Sequence, residues 1–351
     1  MSIFTKDRKK QRNEDVEMGR LSYVIRRAAK MDYGAMLKTA GMLHEKTGKS
    51  RLWLMADMVR CAAKYNAGYI DYKIAEMYRL NDAQRATQIT RGISNSIVAR
   101  MNDKDFWHFF DNKTEFNQLF SRQVKREWLN LTTADEESFA RFLKGRGDII
   151  CKPIDGSSGQ GILKCTPQEY ADPRALYARL KAAGIGIVED KVIQHEALAA
   201  LCPTSVNTIR VATLLGDKKQ GIVYAYIRIG NGKVMDNVDC GGMAAPVDLK
   251  TGVICGVGAN KAGEVFEEHP MTGRRIPGTP IPYWSDVRSM CLDAMHVVPQ
   301  VRFVAWDVAI TPEGPVFIEG NSFPSHAIPQ FAAHFPDGIG ILPRFEEFID
   351  L

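Results

Sequence analysis

Proline is missing from the first 152 residues of this 351-residue chain: all 16 prolines lie at or after Pro153. Proline interrupts helix interiors and central strands, so the first part is free to be mainly helical, while the remainder must bend often. No apolar run approaches the roughly 20 residues that cross a bilayer. The opening MSIFTKDRKKQRNEDVEMGR lacks the apolar core of a signal peptide. The seven cysteines form neither a CxxC pair nor a zinc-like spacing, which points to a reducing cytoplasm rather than a disulfide framework. A P-loop of the form GxxxxGK[ST] is absent, and no GxGxxG opens a helix after a strand, so two common phosphate-binding designs are excluded.

Charge is unevenly spread. Through Phe110, 21 Lys and Arg stand against 12 Asp and Glu, whereas the whole chain carries only +5, leaving the remainder net acidic. The basic surplus is diffuse and no nucleic-acid module is visible, so nucleic acid is not an expected partner. It reads either as a solvated face or as a face drawn to an anionic substrate or membrane surface. Hydrophobic content of 45% with 25% charged residues is ordinary for a globular protein of this size.

What is present divides the chain. After a charged start, apolar residues recur at helical spacing from Leu21 to about Arg100, as in Met42, Leu43, Leu52, Leu54, Met55, Met58 and Val59, then Ile70, Ile74, Met77 and Tyr78. The pattern predicts several packed helices with these residues in the core. Leu129 to Thr132 predicts a strand and turn, Ile149 to Lys152 a strand, Thr166 to Ala183 a helical stretch, and Ile185 to Gln194 a strand and hinge. Thr208 to Leu215 and Ile222 to Ile229 read as strands about the turn Gly216 to Lys219, Asp286 to Met295 as a helix, and Phe303 to Glu319 as antiparallel strands.

Two segments carry chemistry. CKPIDGSSGQGILK, from Cys151 to Lys164, ends a short apolar run in Lys152 and follows it with Gly156, Ser157, Ser158, Gly159, Gln160 and Gly161. Such a loop closes backbone amides on an anion without Cβ obstruction; an ordinary surface loop is the plain alternative. FVAWDVAITPEGPVFIEGNSFP, from Phe303 to Pro324, places Asp307 on one strand and Glu319 and Asn321 two apart on the next, facing one side. Three oxygen ligands of this kind suit Mg²⁺. Glu319 and Asn321 also read as a strand end and a turn, but a carboxylate ending an apolar strand calls for a partner or a metal.

At these residues the chain resembles the ATP-grasp superfamily, and within it the sugar-transfer-associated ATP-grasp family. The likeness runs from about residue 50 to residue 345, through Asp111-Asn112-Lys113, the KPxxGSSGQG loop, VEDKVIQHEAL from Val188, SVNTIRVAT from Ser205, NVDCGGMAAPVDLKTG from Asn237, and WDVAIT with EGNSFP. It implies an α/β (α+β) ATP-grasp fold whose two lobes clasp ATP. A helical region of residues 1–100 and a small α/β unit of 101–145 would precede a grasp domain of 146–351, with its lobes at about 146–195 and 196–345.

The resemblance also implies roles. Lys152 and Lys113 would contact the α and β phosphates, and Glu189, Val192, Ile193 and Glu196 would clasp adenine and ribose. Arg210 would face the transferred phosphoryl group, on the strand face opposite Ile209 and Val211. Asn237, Asp239, Gly241 and Gly242 would lie near the acceptor, and His269 and Trp284, in an insertion typical of the sugar-associated group, would line its pocket. The implied reaction joins a small-molecule or saccharide carboxylate to an amine through an acyl-phosphate, with ATP and Mg²⁺, in polysaccharide or sugar-conjugate biosynthesis. Peripheral contact with a membrane-linked sugar is a further implied partner. Phosphoryl transfer to a sugar-type hydroxyl, and a non-catalytic nucleotide-binding module, are the alternatives.

Overall fold

The computed structural model describes residues 32–156, 161–232, 236, 238 and 241–351. Helix α1 (Tyr33–Thr47) starts where the Asp32 carboxylate accepts from Ala35 N at 2.9 Å and stops at left-handed Gly48, φ +71°. With α2 (Arg51–Tyr65), α3 (Tyr69–Ile74), α4 (Asp82–Ala86) and α5 (Arg91–Met101) it forms the expected helical region. Its core joins Met36, Leu43, Leu54, Met58, Tyr72 and Met77 around a buried ion pair, in which Arg85 grips Asp57 at 2.9 and 2.6 Å and Tyr72 Oη donates to the same carboxylate. One part of the helical expectation is corrected. Met42, Leu52, Val59 and Ile70 do not enter that core; Leu52 is 79% exposed and Val59 52%. Leu52 and Val59 lie on the side of α2 opposite Leu54, Met58 and Cys61, so apolar periodicity marked a helix that is apolar on both faces.

Three short helices follow: α6 (His108–Asp111), α7 (Lys113–Leu119) and α8 (Ser121–Val124). A four-stranded antiparallel sheet comes next, from β1 (Trp128–Asn130), β2 (Ile149–Lys152), β3 (Leu163–Cys165) and β4 (Ile187–Asp190), in the order β1-β4-β2-β3. One face packs Ile149, Cys151, Cys165 and Val188 against Phe139 and Leu143 of α9 (Glu136–Leu143) and Leu176 and Leu180 of α10 (Pro173–Ala182). By strand alternation Lys152 and Glu189 belong to the other face. The stretch from Thr166 to Ala183 is not one helix. A short 3₁₀ turn at Pro167–Ala171 is broken before Pro173, where Asp172 caps α10 by accepting from Ala175 N.

After α11 (Glu196–Ala199) comes a seven-stranded sheet, also antiparallel throughout. Its strands are β5 (Ile209–Leu215), β6 (Gln220–Ile229), β7 (Met243–Pro246), β8 (Gly258–Ala259), β9 (Val265–Phe266), β10 (Phe303–Thr311) and β11 (Gly314–Asn321), in the order β11-β10-β5-β6-β7-β8-β9. One face carries Ile209, Val211, Trp306, Val308 and Phe317 against Phe110, Phe116 and Phe120 and against α12 (Trp284–Ala294). The other carries Ala212, Leu214, Phe303 and Ala305 against α5 and the C-terminal α13 (Leu342–Glu346). Among the described residues no helix is long and apolar enough to cross a membrane.

The edge strand β11 contains a bulge. Val308 pairs with Phe317 but Asp307 pairs with Glu319, so Ile318 has no partner of its own. Period 2 would put Phe317 and Glu319 on the same face. The bulge instead leaves Phe317 stacked on Trp306, ring centroids 4.8 Å apart, and turns Glu319 to the side of Asp307. Gly320, next in line, lies so close beneath the aromatics that a Cβ there would meet Phe116 at 2.8 Å and Phe110 at 2.9 Å. Replacing Gly320 by Ala should therefore overpack this layer and destabilise the fold by roughly 1–3 kcal/mol. Urea unfolding checks this, and an unshifted midpoint would mean that the aromatic layer yields freely.

Candidate active site

Strand register builds the centre of the site. Glu319, Asp307, Arg210 and Tyr226 are successive cross-strand partners on β11, β10, β5 and β6, and so form a row across one sheet face. The Arg210 guanidinium grips Asp307 in a two-pronged contact, Nε to one carboxylate oxygen and Nη2 to the other at 2.7 Å. A second guanidinium joins: Arg228 Nη2 donates to Asp307 Oδ2 at 2.6 Å and to Thr208 Oγ1 at 2.7 Å. Asp236 completes the group, accepting from Thr208 N at 2.9 Å and standing 3.5 Å from Arg228 Nε. Asp307 is fully buried. Burial opposes its ionisation, but Arg210 and Arg228 outweigh it and hold the carboxyl below its ordinary range. For Glu319, burial and the neighbouring Asp307 charge act together and push the carboxyl up.

That opposition is the structural test of a divalent cation. Two carboxyl groups meet across β10 and β11, and their mutual repulsion is what a cation between them would relieve. Asn321, two residues beyond Glu319, pairs with Ala305 on the same face and donates to its carbonyl at 3.4 Å. The donor set of two carboxylates and an amide oxygen fits a hard cation. Among the described residues no group of three or more His, Cys, Asp or Glu could hold a metal.

The small sheet contributes a second group. Lys152 Nζ pairs with Glu189 Oε1, and Arg126 Nη2 reaches Glu189 Oε2 at 3.0 Å. Glu189, one of the four residues expected to clasp adenine and ribose, thus spends its carboxylate inside the protein. Burial alone would raise its pKa, but the Arg126 and Lys152 charges bring it down to about 2. Lys113 opens α7 behind its Asn112 cap and points its ammonium at the carbonyls of Ile154, 3.3 Å, and Gly156, 3.0 Å. It sits at the root of the glycine-rich loop and not on an open helix surface. Gly161 closes that loop at φ +74°, where a Cβ would also strike Pro153 at 2.9 Å. Ser157, Ser158, Gly159 and Gln160 lie outside the described residues, as do Asn237 and Asp239.

Beyond β4 the chain leaves regular structure. Val192 is half-buried there, while Ile193 is 73% exposed and Glu196 opens α11. An exposed isoleucine in the connection between two sheets offers apolar surface to a flat ring. Gly241 and Gly242 directly precede β7. His269 is fully buried, with Nε2 on the Gly230 carbonyl at 2.7 Å and Nδ1 accepting from Met271 N at 3.3 Å, so both ring nitrogens are engaged by the protein's own backbone.

The family described as "Sugar-transfer associated ATP-grasp" matches residues 173–348, half of the chain. The chain belongs to the sugar-transfer-associated ATP-grasp family. The match takes in the row on the large sheet but starts after the glycine-rich loop, so the case for Lys152 and Lys113 rests on their geometry. The family carries the expected α/β ATP-grasp fold, here with a helical N-terminal region. No curated protein matches the chain. Among solved structures it is similar to the D-alanine-D-alanine ligase from Coxiella burnetii, with 11% identity over 68% of this chain and 56% of that one, at a TM-score of 0.41. It is also similar to the ATP-grasp ligase PsnB in complex with a minimal-precursor variant, Mg and ADP, with 14% identity, 76% and 68% coverage and a TM-score of 0.42. For the D-cycloserine synthetase DcsG the identity is 11%, both coverages are 80% and the TM-score is 0.42. The chain thus spans little more than half the length of the first of these ligases.

Sequence reasoning missed Arg228, Asp236, Thr208 and Arg126. Arg228 carried a signal, a charged residue inside the apolar strand AYIRI, of the same kind that marked Glu319. Arg126 carried none, since it lies between short elements in a charged stretch. The Glu189 pairing predicts a pH dependence. A carboxyl depressed from 4.5 to about 2 contributes stability that is complete above pH 4.5 and is lost as the pH falls through about 2. Glu189→Gln should therefore be less stable than the parent at pH 6, with the gap closing between pH 4.5 and 2. Paired urea titrations across that range check it, and a constant gap would contradict the pairing.

Proposed function

We propose that this ATP-grasp protein is an ATP-dependent carboxylate–amine ligase that forms an amide through an acyl-phosphate, acting in polysaccharide or sugar-conjugate biosynthesis. The observation that carries this reading is the row Glu319, Asp307, Arg210, which puts two acidic groups and a guanidinium side by side on one buried sheet face. Lys152, Lys113 and the loop from Gly156 to Gly161 would hold the ATP phosphates. Val192, Ile193 and Glu196 would line the adenine and ribose side, with Glu189 acting through Lys152. Asp307, Glu319 and Asn321 would hold Mg²⁺, which when bound neutralises phosphate charge during transfer. The same reading divides the chain into a helical region of residues 1–100, a small unit of 101–145 and a grasp domain from 146 onward.

In the reaction, an oxygen of the substrate carboxylate attacks the γ-phosphorus and the bond to ADP breaks. The amine then adds to the acyl carbon, loses a proton, and phosphate departs with one former carboxylate oxygen. No protein nucleophile is consumed; the chain's work is alignment and charge stabilisation. Arg210 faces the developing charge, and Arg228 shares the Asp307 carboxylate so that Arg210 keeps a fixed direction. Gly241, Gly242, Asn237 and Asp239 would lie on the acceptor side.

Three measurements test the reading. With acids and amines varied in pairs, ADP release should require both, and ¹⁸O from the labelled carboxylate should appear in inorganic phosphate. Amide without label in phosphate would contradict the acyl-phosphate, and a stable phosphate ester formed without amine would identify a phosphotransferase instead. Arg210→Ala should lower kcat far more than it raises KM for ATP, because its contact is made during transfer; a raised KM with kcat unchanged would assign Arg210 to ground-state binding.

A further inference from the structure

Arg126 lies outside every role above, yet its side chain is only 7% exposed and it touches both sheets. It follows Lys125, a non-glycine residue at φ +55° that ends α8 and turns the chain toward β1. A left-handed lysine is an uncommon conformation, held in place by its surroundings. From this position Arg126 Nη1 donates to the carbonyl of Phe317 and Nη2 contacts that of Ile318 at 3.4 Å. These are the two residues at the β11 bulge, immediately before Glu319. The same Nη2 holds Glu189, whose other oxygen holds Lys152. Asn117 Nδ2 is 3.5 Å from the Glu189 carboxylate, and Arg126 Nε is buried without a hydrogen-bond partner among the described residues.

A bulge leaves backbone carbonyls outside the regular ladder, and a buried carbonyl needs a donor. Arg126 supplies that donor from outside the large sheet. We infer that Arg126 is a positioning residue, fixing the β11 bulge so that Glu319 turns toward Asp307 and tying it through Glu189 to Lys152. This inference rests on the metal–nucleotide reading of the site. In physical terms, Arg126 links the strand that aims Glu319 to the buried carboxylate that holds the phosphate-side lysine.

The test separates metal binding from nucleotide binding. For the parent, Arg126→Met, Arg126→Lys and Glu319→Ala, ADP affinity is measured by calorimetry in EDTA, and Mn²⁺ affinity by electron paramagnetic resonance at saturating ADP. Arg126→Met should weaken Mn²⁺ by about tenfold or more, as loss of an outer-shell support does, and metal-free ADP by no more than about threefold, because Lys152 keeps its own contact with Glu189. Arg126→Lys, which keeps the charge beside Glu189 and should fold even where the methionine variant does not, should recover part of the loss. Parent-like Mn²⁺ affinity in Arg126→Met or in Arg126→Lys without partial loss, or equal weakening of ADP and Mn²⁺, would overturn the inference. Glu319→Ala distinguishes the two levels. If it binds Mn²⁺ as the parent does, the metal reading itself fails; if it is impaired while the Arg126 variants are not, only the positioning role falls.

Discussion

A fully buried carboxylate in the middle of a β-sheet must be compensated, and the compensation of Asp307 organises this molecule. Its two oxygens are taken by Arg210 from β5 and by Arg228 from β6, so three strands contribute to one charge cluster. Removing one member would leave a buried charge unpaired, at a cost of about 3–5 kcal/mol. The cluster sits on a face whose remainder is closed by α5 and the C-terminal helix, while the opposite face is filled by Trp306, Phe317 and the aromatic residues of α6, α7 and α8. A sheet this well supported on one side is a rigid base for chemistry on the other.

Two devices set the geometry at its edge. The bulge at Ile318 lets Phe317 remain in the aromatic layer while Glu319 turns to the charged face, two directions that an unbroken strand could not give to residues two apart. Asn102 Nδ2 donates to the carbonyls of Phe303 and Ser322 at 2.7 and 2.6 Å, binding the end of α5 to both strands of the hairpin that carries Asp307 and Glu319. His326, in the loop after β11, reaches Asp71 on α3 at 2.7 Å. The helical region therefore braces the strand ends and the loop that follow the acidic residues, which gives its packing a bearing on the site.

The large sheet was legible because its strands announce themselves: Ile209 to Leu215 and Phe303 to Thr311 are apolar or alternating and bounded by turn residues. Period 2 placed Glu319 with Asn321 on one face of β11, and Arg210 on the face of β5 opposite Ile209 and Val211. What was not legible depends on contacts distant in sequence. Nothing local marks Ile318 as a bulge, and Glu189 carries no sign that Lys152 and Arg126 will claim it. The helical region shows the opposite failure. Leu52 and Val59 have the same character as Leu54 and Met58, and only the packing of α1 on α2 decides which side is covered.

The proposed function requires that the large-sheet row, Lys152 on the small sheet and Lys113 on α7 serve one metal–nucleotide site. A crystal structure with Mn²⁺ and a non-hydrolysable ATP analogue tests it most directly. The account predicts an anomalous peak in contact with the Asp307 and Glu319 carboxylates, phosphates running from it toward Lys152 and Lys113, and Glu319 ionised against the metal. Nucleotide bound away from Lys152, or manganese elsewhere with Glu319 still turned only to Asp307, would contradict it.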